Sequence, residues 1–397
     1  IAEPGQPLSF LSRSSNCNIG RMYRYATLLL GMRPTDHEYK VMGLAAYNSE
    51  AHGKIAYDVY AETLQVDGLS FKYKNEVKDH FFHFKERLEG QRFDAIAYGI
   101  QRRTEELLSM WISNGVDQTG IGNVVMSGGV AQNVKANKII WELKKVKQLF
   151  VPPGPGDESI SIGAAYAEAV DQGLDIATSP AITSAYFSPP YTDTEIDRHI
   201  EKISDDWEIT KADYDDIAKV LARGEIVARF SLQNAEFGAR ALGNRSIIAD
   251  PRKSSVIHHI NKLVKMRDFW MPFAPSILEE REPDYLVNPK RIDARFMAIS
   301  FDSTDLARKD LPAGLHPFDH SARPQIVYKD DNPEYYGIIK AFERLTGVGA
   351  VLNTSFNIHG EPIVSTPEQA IDTFRRCGLH HLLLGHFLIS KPDIEAT

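Results

Sequence analysis

Apolar residues recur along this chain with two periods, and the switch between them marks out its elements. Within residues 9–30, Met22, Tyr25 and Leu29 stand three and four apart, the spacing of one helix face. Residues 93–114 hold that period through AIAYGIQRRTEELLSMWIS, and Gly115 supplies the expected stop. Residues 51–64, 131–143 and 159–172 also read as helices. The short apolar runs 122–127 and 148–151 lack a helical period and lead into Gly-Gly or Pro/Gly turns, which predicts strands. Strands alternating with helices indicate an α/β layer.

The Ser, Thr and Pro of residues 178–193 (TSPAITSAYFSPPYTD) break the pattern and predict a linker. Beyond it, 194–204, 212–223 and 367–376 read as helices, and 225–230, 296–301, 325–327 and 382–389 as strands. This half is also expected to be α/β, with longer loops carrying its polar motifs.

A chain of 397 residues exceeds one ordinary core and predicts two domains or three. No apolar run reaches the roughly 18 residues of a membrane span. The opening IAEPGQPLSF lacks the basic start and apolar core of a signal peptide. Two scattered cysteines, Cys17 and Cys377, point to a reducing cytoplasm rather than a disulfide framework.

The net charge is −8, so a local basic cluster suits a small anion better than nucleic acid. Such a cluster begins at residues 236–252, EFGARALGNRSIIADPR, where Arg240, Arg245 and Arg252 accompany Gly238 and Gly243. Lys265, Arg267 and Arg323 extend it. Guanidinium groups grip phosphate and carboxylate oxygens with two parallel donors, and glycine lets the backbone approach. The bland alternative is a solvated, salt-bridged surface. Residues 126–133, MSGGVAQN, place Gly128 and Gly129 at a strand-to-helix turn, where exposed N–H groups bind anions or simply turn the chain. Asp157 stands in a Gly/Pro loop before a helix, where it or Ser159 reads as a helix cap. His80 and His83 read as helix packing, and His359 follows Asn357 within reach of the anion loops.

These segments carry a resemblance. FGARALGNRSIIADPR, KMRDFWMPFAPSILEE (265–280), ARPQIV (322–327) and LNTSFNIHGEPIV (352–364) are similar to the C-terminal domain of the O-carbamoyltransferases, which include nodulation and antibiotic carbamoyltransferases. EYKVMGLAAY (38–47), MSGGVAQNVKAN (126–137) and VPPGPGDESISIGAAYAEA (151–169) resemble the same family's ATPase domain. The resemblance implies an α/β fold: a partial actin-like ATPase, threonylcarbamoyl-transferase-like domain over residues 1–182, mainly its second lobe, then a threonylcarbamoyl-AMP-synthase-like domain over 183–397. A first lobe would precede a segment like 18–47, so the chain is expected to be a fragment or a processed form.

By the same resemblance, Arg240, Lys265, Arg323 and Asn353 line a catalytic carbamoyl phosphate pocket. Arg245, Arg267, Ser355 and Asn357 join Gly128, Gly129 and Asn133 in holding the nucleotide. Asp157 matches a ligand of a divalent metal, iron or magnesium, which two histidines of a His-x-x-x-His helix motif complete; that motif does not occur within the ATPase-like residues 1–182. Met271 stands where several members carry arginine, and Ser355 where some antibiotic-modifying members do. The implied activity is ATP-dependent O-carbamoyl transfer from carbamoyl phosphate, through carbamoyl-AMP, to a hydroxyl of a small acceptor. A cytoplasmic protein, with room for a homodimer and with neither nucleic acid nor membrane as partner, completes the expectation. The alternatives are a small-molecule kinase of actin-like fold and a silent module that binds nucleotide or carbamoyl phosphate.

Overall fold

The computed structural model describes residues 1–2, 9–175, 182–203 and 206–392, and it divides into two compact units, 1–182 and 183–397. No helix among the described residues is long and apolar enough to cross a membrane.

In the first unit the 27-residue helix Phe93–Thr119 is the central element, with helices Glu38–Ala45 and Glu50–Ala61 packed along it. The helix runs past Gly115, because Val116 continues its buried face. It ends instead at Gly120, which takes the left-handed φ of 72° and donates its N–H to Val116 O. Strands β1 (Leu64–Asp67) and β2 (Ser70–Tyr73) form a hairpin, and β3 (Asn123–Val125) pairs in parallel with β4 (Gln148–Phe150). The expected helix at 131–143 splits into the 3-10 turn Gly129–Gln132 and the helix Val134–Glu142. His80 and His83 lie on the helix His80–Arg87 and pack their rings on Phe84.

The second unit is built on one eight-stranded sheet. Its strands are β5 (Glu208–Lys211), β6 (Val227–Phe230), β7 (Arg245–Ala249), β8 (Ala274–Leu278), β9 (Gln325–Val327), β10 (Ala350–Ser355), β11 (His381–Leu384) and β12 (Phe387–Ser390). They lie in the order β5-β12-β11-β6-β7-β10-β8-β9; β11/β6 and β8/β9 are parallel, and the other pairs antiparallel. The single strand expected at 382–389 is a hairpin, turned at Gly385 with φ 58°. The strand expected at 296–301 does not form; only Phe301 makes a bridge, to Ala322. Of the expected linker, 178–181 lie outside the described residues. The rest lies along this unit: Phe237 N donates to Ala185 O, and Tyr191 N to Leu232 O.

Pairing sorts the central side chains onto two faces, since residues directly opposite share a face and neighbours alternate. Phe230 pairs with Arg245, and Ala228 with Ile247; Ala249 pairs with Leu352. Their apolar members belong to a core closed by Val256, Ile260, Phe356 and Phe374. The other face carries Ser276 opposite Gln325, then Asn353 opposite Ile248 and Ala274. Polar side chains at the centre of a sheet need partners within the fold, and their partners form the candidate site.

Candidate active site

Loop 236–245 leaves β6 and returns on β7. Its conformation is set by Glu236, whose Oε1 accepts the backbone N–H of Leu242 (2.8 Å), Asn244 (2.8 Å) and Arg245 (3.1 Å). Ala241 O accepts Asn353 Nδ2 at 3.1 Å, and Leu242 O accepts Tyr186 Oη at 2.7 Å and Gln325 Nε2 at 2.6 Å. The loop carrying Arg240 is thus pinned to β9 and β10. A second loop, 315–323, closes when His316 N donates to Ser321 O and Ala322 pairs with Phe301, which delivers Arg323 just before β9. A third support is the helix Ser255–Ile260 and its continuation Asn261–Lys265, a turn of π-helix ending at Met266 with φ 46°.

These supports bring most of the cationic set together. Arg323 is pushed well below the usual arginine range by burial, then by Arg240 and Arg267, which lie close enough to repel it. A guanidinium keeps its proton inside a protein, so that penalty acts as demand for an anion. Arg323 Nη1 is shielded from solvent and has no hydrogen-bond partner among the described residues. Lys265, 2% exposed, donates to Ser355 Oγ (3.0 Å), Asn357 O (3.0 Å) and Asn357 Oδ1 (2.5 Å). Burial and then Arg267 hold its ammonium well below the ordinary lysine range. Arg267 lies over the Phe273 ring. Asn357 is fixed in turn by Ser355 Oγ (2.6 Å) and by donation to Glu361 O (2.6 Å).

Two arginines of the sequence cluster go elsewhere. Arg245 lies three residues from Ile248 on β7, hence on the face opposite Asn353, and stacks 3.7 Å over Phe230. It donates to Ser231 O and Asn244 O, and burial brings its guanidinium down to about 10. Arg252 turns back on Asp250, with Nη2 at 2.6 Å from Oδ2. His359 is exposed; its backbone N–H, at 3.3 Å from Val264 O, fastens its loop to the helix that ends in Lys265.

In the first unit, Gly128 adopts φ 100°, open only to glycine without strain, and its N–H donates to Pro155 O at 2.6 Å. Nothing stands within 4 Å of where a Cβ on Gly128 or Gly129 would be. Ser127 Oγ also donates to Pro155 O, so the Gly-Gly turn and the loop before Asp157 are side by side. Asn133 caps the helix Val134–Glu142 by accepting Ala136 N and exchanges hydrogen bonds with Gln101, so its amide serves the fold directly. Asp157 opens the turn Asp157–Ser159, and its carboxylate accepts no hydrogen bond from the described residues; the capping expected of it is absent.

Comparison with known proteins sets these features in context. Residues 4–166 match the family described as Carbamoyltransferase N-terminus, and residues 218–391 match Carbamoyltransferase C-terminus. The chain is 34% identical to the Methanocaldococcus jannaschii protein MJ1051 over 98% of its own length and 77% of that protein's. The chain belongs to the carbamoyltransferase family. Nodulation protein NolO of Bradyrhizobium diazoefficiens is 30% identical over 97% of this carbamoyltransferase-family chain and 71% of its own length. The chain spans 62% of the length of another relative, MJ1058 of Methanocaldococcus jannaschii, at 35% identity. A crystal structure of full-length HypF in a phosphate- and nucleotide-bound form overlaps 46% of this chain and 22% of its own, at TM-score 0.32 and 14% identity, too slight a likeness to argue from.

The divalent metal that the resemblance implies finds no matching donor set among the described residues. Among the described residues no three His, Cys, Asp or Glu side chains stand together as ligands for a metal ion, and one carboxylate does not make a site for a divalent cation. Met271, in place of the family arginine, is buried at 8% exposure. Sequence reasoning passed over Tyr186, Glu236, Ser276 and Gln325, which pin the loops. Singly, each is an ordinary polar residue, and only strand pairing shows that Ser276, Gln325 and Asn353 share a face.

Proposed function

We propose that this chain takes part in ATP-dependent O-carbamoyl transfer from carbamoyl phosphate to a hydroxyl of a small acceptor. The observation that carries the reading is the buried Arg323, with an unpartnered donor and with Arg240 and Arg267 close by. Arg240 and Arg267 both bear on the buried Arg323 charge, and a phosphoryl group beside Arg323 would offset that repulsion. Lys265 adds a fourth cation at the Ser355–Asn357 turn.

In this reading, unit 183–397 positions carbamoyl phosphate so that Arg240, Lys265 and Arg323 stabilise the charge developing on phosphate as one water hydrolyses the mixed anhydride to carbamate and inorganic phosphate. Carbamate then attacks the α-phosphorus of ATP, giving carbamoyl-AMP and pyrophosphate. Carbamate decomposes in bulk water, so a pocket that admits only the reacting water protects it. Unit 1–182 takes the carbamoyl group from AMP to the acceptor hydroxyl, releasing AMP. The Gly128–Gly129 turn, where an added Cβ would meet nothing within 4 Å, offers space for a nucleotide. The resemblance of the units to an actin-like ATPase and to a threonylcarbamoyl-AMP synthase supports this division of labour.

The test is pyrophosphate release from ATP that depends on carbamoyl phosphate, with carbamoyl-AMP detected by mass spectrometry. Arg323→Met is expected to lower that release by about 100-fold or more while leaving the far-UV circular dichroism unchanged. ADP together with a phosphorylated acceptor would support the kinase instead.

A further inference from the structure

Asn353 is 1% exposed, and its two amide atoms are treated differently. Its Nδ2 faces Ala241 O (3.1 Å), Ser276 Oγ (3.0 Å) and Gln325 Oε1 (3.3 Å). Its Oδ1 is shielded from solvent and has no donor among the described residues. A buried amide oxygen without a donor costs about as much as a lost hydrogen bond, so it marks either a defect or a place for a ligand donor.

The orientation of this amide follows from backbone groups. Turned by half a rotation, Asn353 would set its oxygen against two acceptors, Ala241 O and Gln325 Oε1. Gln325 cannot turn to relieve that clash, since its Nε2 donates to Leu242 O at 2.6 Å while its Oε1 accepts Ser276 Oγ at 2.8 Å. The carbonyls of Ala241 and Leu242 therefore dictate, through Gln325 and Ser276, that Asn353 keeps its oxygen for a ligand. Both carbonyls follow Arg240 directly in sequence, and Gln325 lies two residues beyond Arg323. The spare acceptor is thus carried by the elements that carry the spare donor, Arg323 Nη1.

An anion that satisfies both needs an oxygen for Arg323 and an N–H for Asn353. Resting on the carbamoyl phosphate reading, we infer that Asn353 Oδ1 accepts a hydrogen bond from the carbamoyl NH2, and that Ser276 and Gln325 are positioning residues fixing this polarity. The consequence is chemical selectivity. Acetyl phosphate carries a methyl group of nearly the same size where carbamoyl phosphate carries NH2, so shape does not separate them. A methyl group leaves Asn353 Oδ1 unpaired, and such mismatches are what polar sites reject.

The experiment is calorimetric binding of three probes to the full chain: carbamoyl phosphate, acetyl phosphate and inorganic phosphate. The wild type is expected to bind carbamoyl phosphate about tenfold or more tighter than acetyl phosphate. Gln325→Leu removes one of the two acceptors that fix the Asn353 amide and releases Ser276 Oγ to donate to a turned oxygen, so the ratio falls with inorganic phosphate binding little changed. Ser276→Ala, the milder change, lowers the ratio in the same direction and guards against a folding defect. Equal binding of the two acyl phosphates by the wild type would overturn the inference and leave the anion site standing. No binding of any probe would remove both. Weaker binding of all three probes by both variants, at an unchanged ratio, would reduce Ser276 and Gln325 to structural residues and overturn the positioning role.

Discussion

Arg229 on β6 and Glu334 in the first turn of the helix Pro333–Thr346 meet at 2.9 Å, with side-chain exposures of 2% and 20%. The same guanidinium donates to Gly243 O at 2.6 Å and Asn244 Oδ1 at 2.9 Å, and it lies over the Tyr335 ring. One buried cation therefore joins a strand, a helix and the loop that carries Arg240. Glu334 also accepts Ser231 Oγ, which completes its hydrogen bonding and lets the pair exist out of water.

Breaking that pair should be expensive. Glu334→Leu leaves Arg229 buried with its charge unmatched, and we expect a loss of about 3–5 kcal/mol in urea denaturation. Burial raises the Glu334 carboxyl, but Arg229, Ser231 and Gln233 together hold it below its ordinary value. Its stabilising effect is thus full above the ordinary carboxylate range and is lost as pH falls through the lowered value. The variant should show a shallower acid destabilisation than the wild type; parallel acid curves would contradict the pairing.

Gly243 tests the loop itself. Its φ is 118°, and a Cβ there would stand 2.3 Å from Tyr335 Cδ1. Gly243→Ala combines backbone strain with a clash against a buried ring, for an expected loss of about 2 kcal/mol or more. Thermal unfolding measures it, and a melting temperature equal to that of the wild type would show that the loop is not held as described.

Lys265 should titrate in an unusual range. Its folded value is lowered from 10.5, first by burial and then by Arg267, so between that lowered value and 10.5 the unfolded chain binds more protons. Stability therefore rises with pH across this window. Lys265→Met should remove the rise. An anion drawn to the pocket favours the charged ammonium, so phosphate binding above the lowered value should take up a proton. Calorimetry in two buffers of different ionisation enthalpy reads that uptake; the same uptake in wild type and Lys265→Met would count against it.

Asp157 makes the opposite prediction. Its carboxylate has no hydrogen-bond partner among the described residues, so Asp157→Ala should change stability by less than about 0.5 kcal/mol. A larger loss in denaturant titration would restore the capping role read from the sequence.

By itself the sequence determined the ingredients. Helical periods placed several helices but not Glu38–Ala45 or Pro333–Thr346, the Gly-Gly turn stood out at residues 128–129, and basic residues set among Gly, Asn and Ser pointed to a candidate anion site. Local chemistry suffices for such features, because a turn, a helix face and a charge are properties of neighbouring residues. Strands β7, β8 and β10 escaped detection within those motifs because every residue of β7 and β8, and all but the last of β10, is buried, which erases the period of two. Only the tertiary structure decided that Arg245 and Asn353 face opposite sides of one sheet, since strand pairing sets the register. It alone decided which atom of the Asn353 amide is free, because the groups that orient it, Ala241 O, Ser276 and Gln325, lie 112, 77 and 28 residues away. A hydrogen bond acts over about 3 Å of space whatever the distance along the chain, so such polarity belongs to the fold and not to the local sequence.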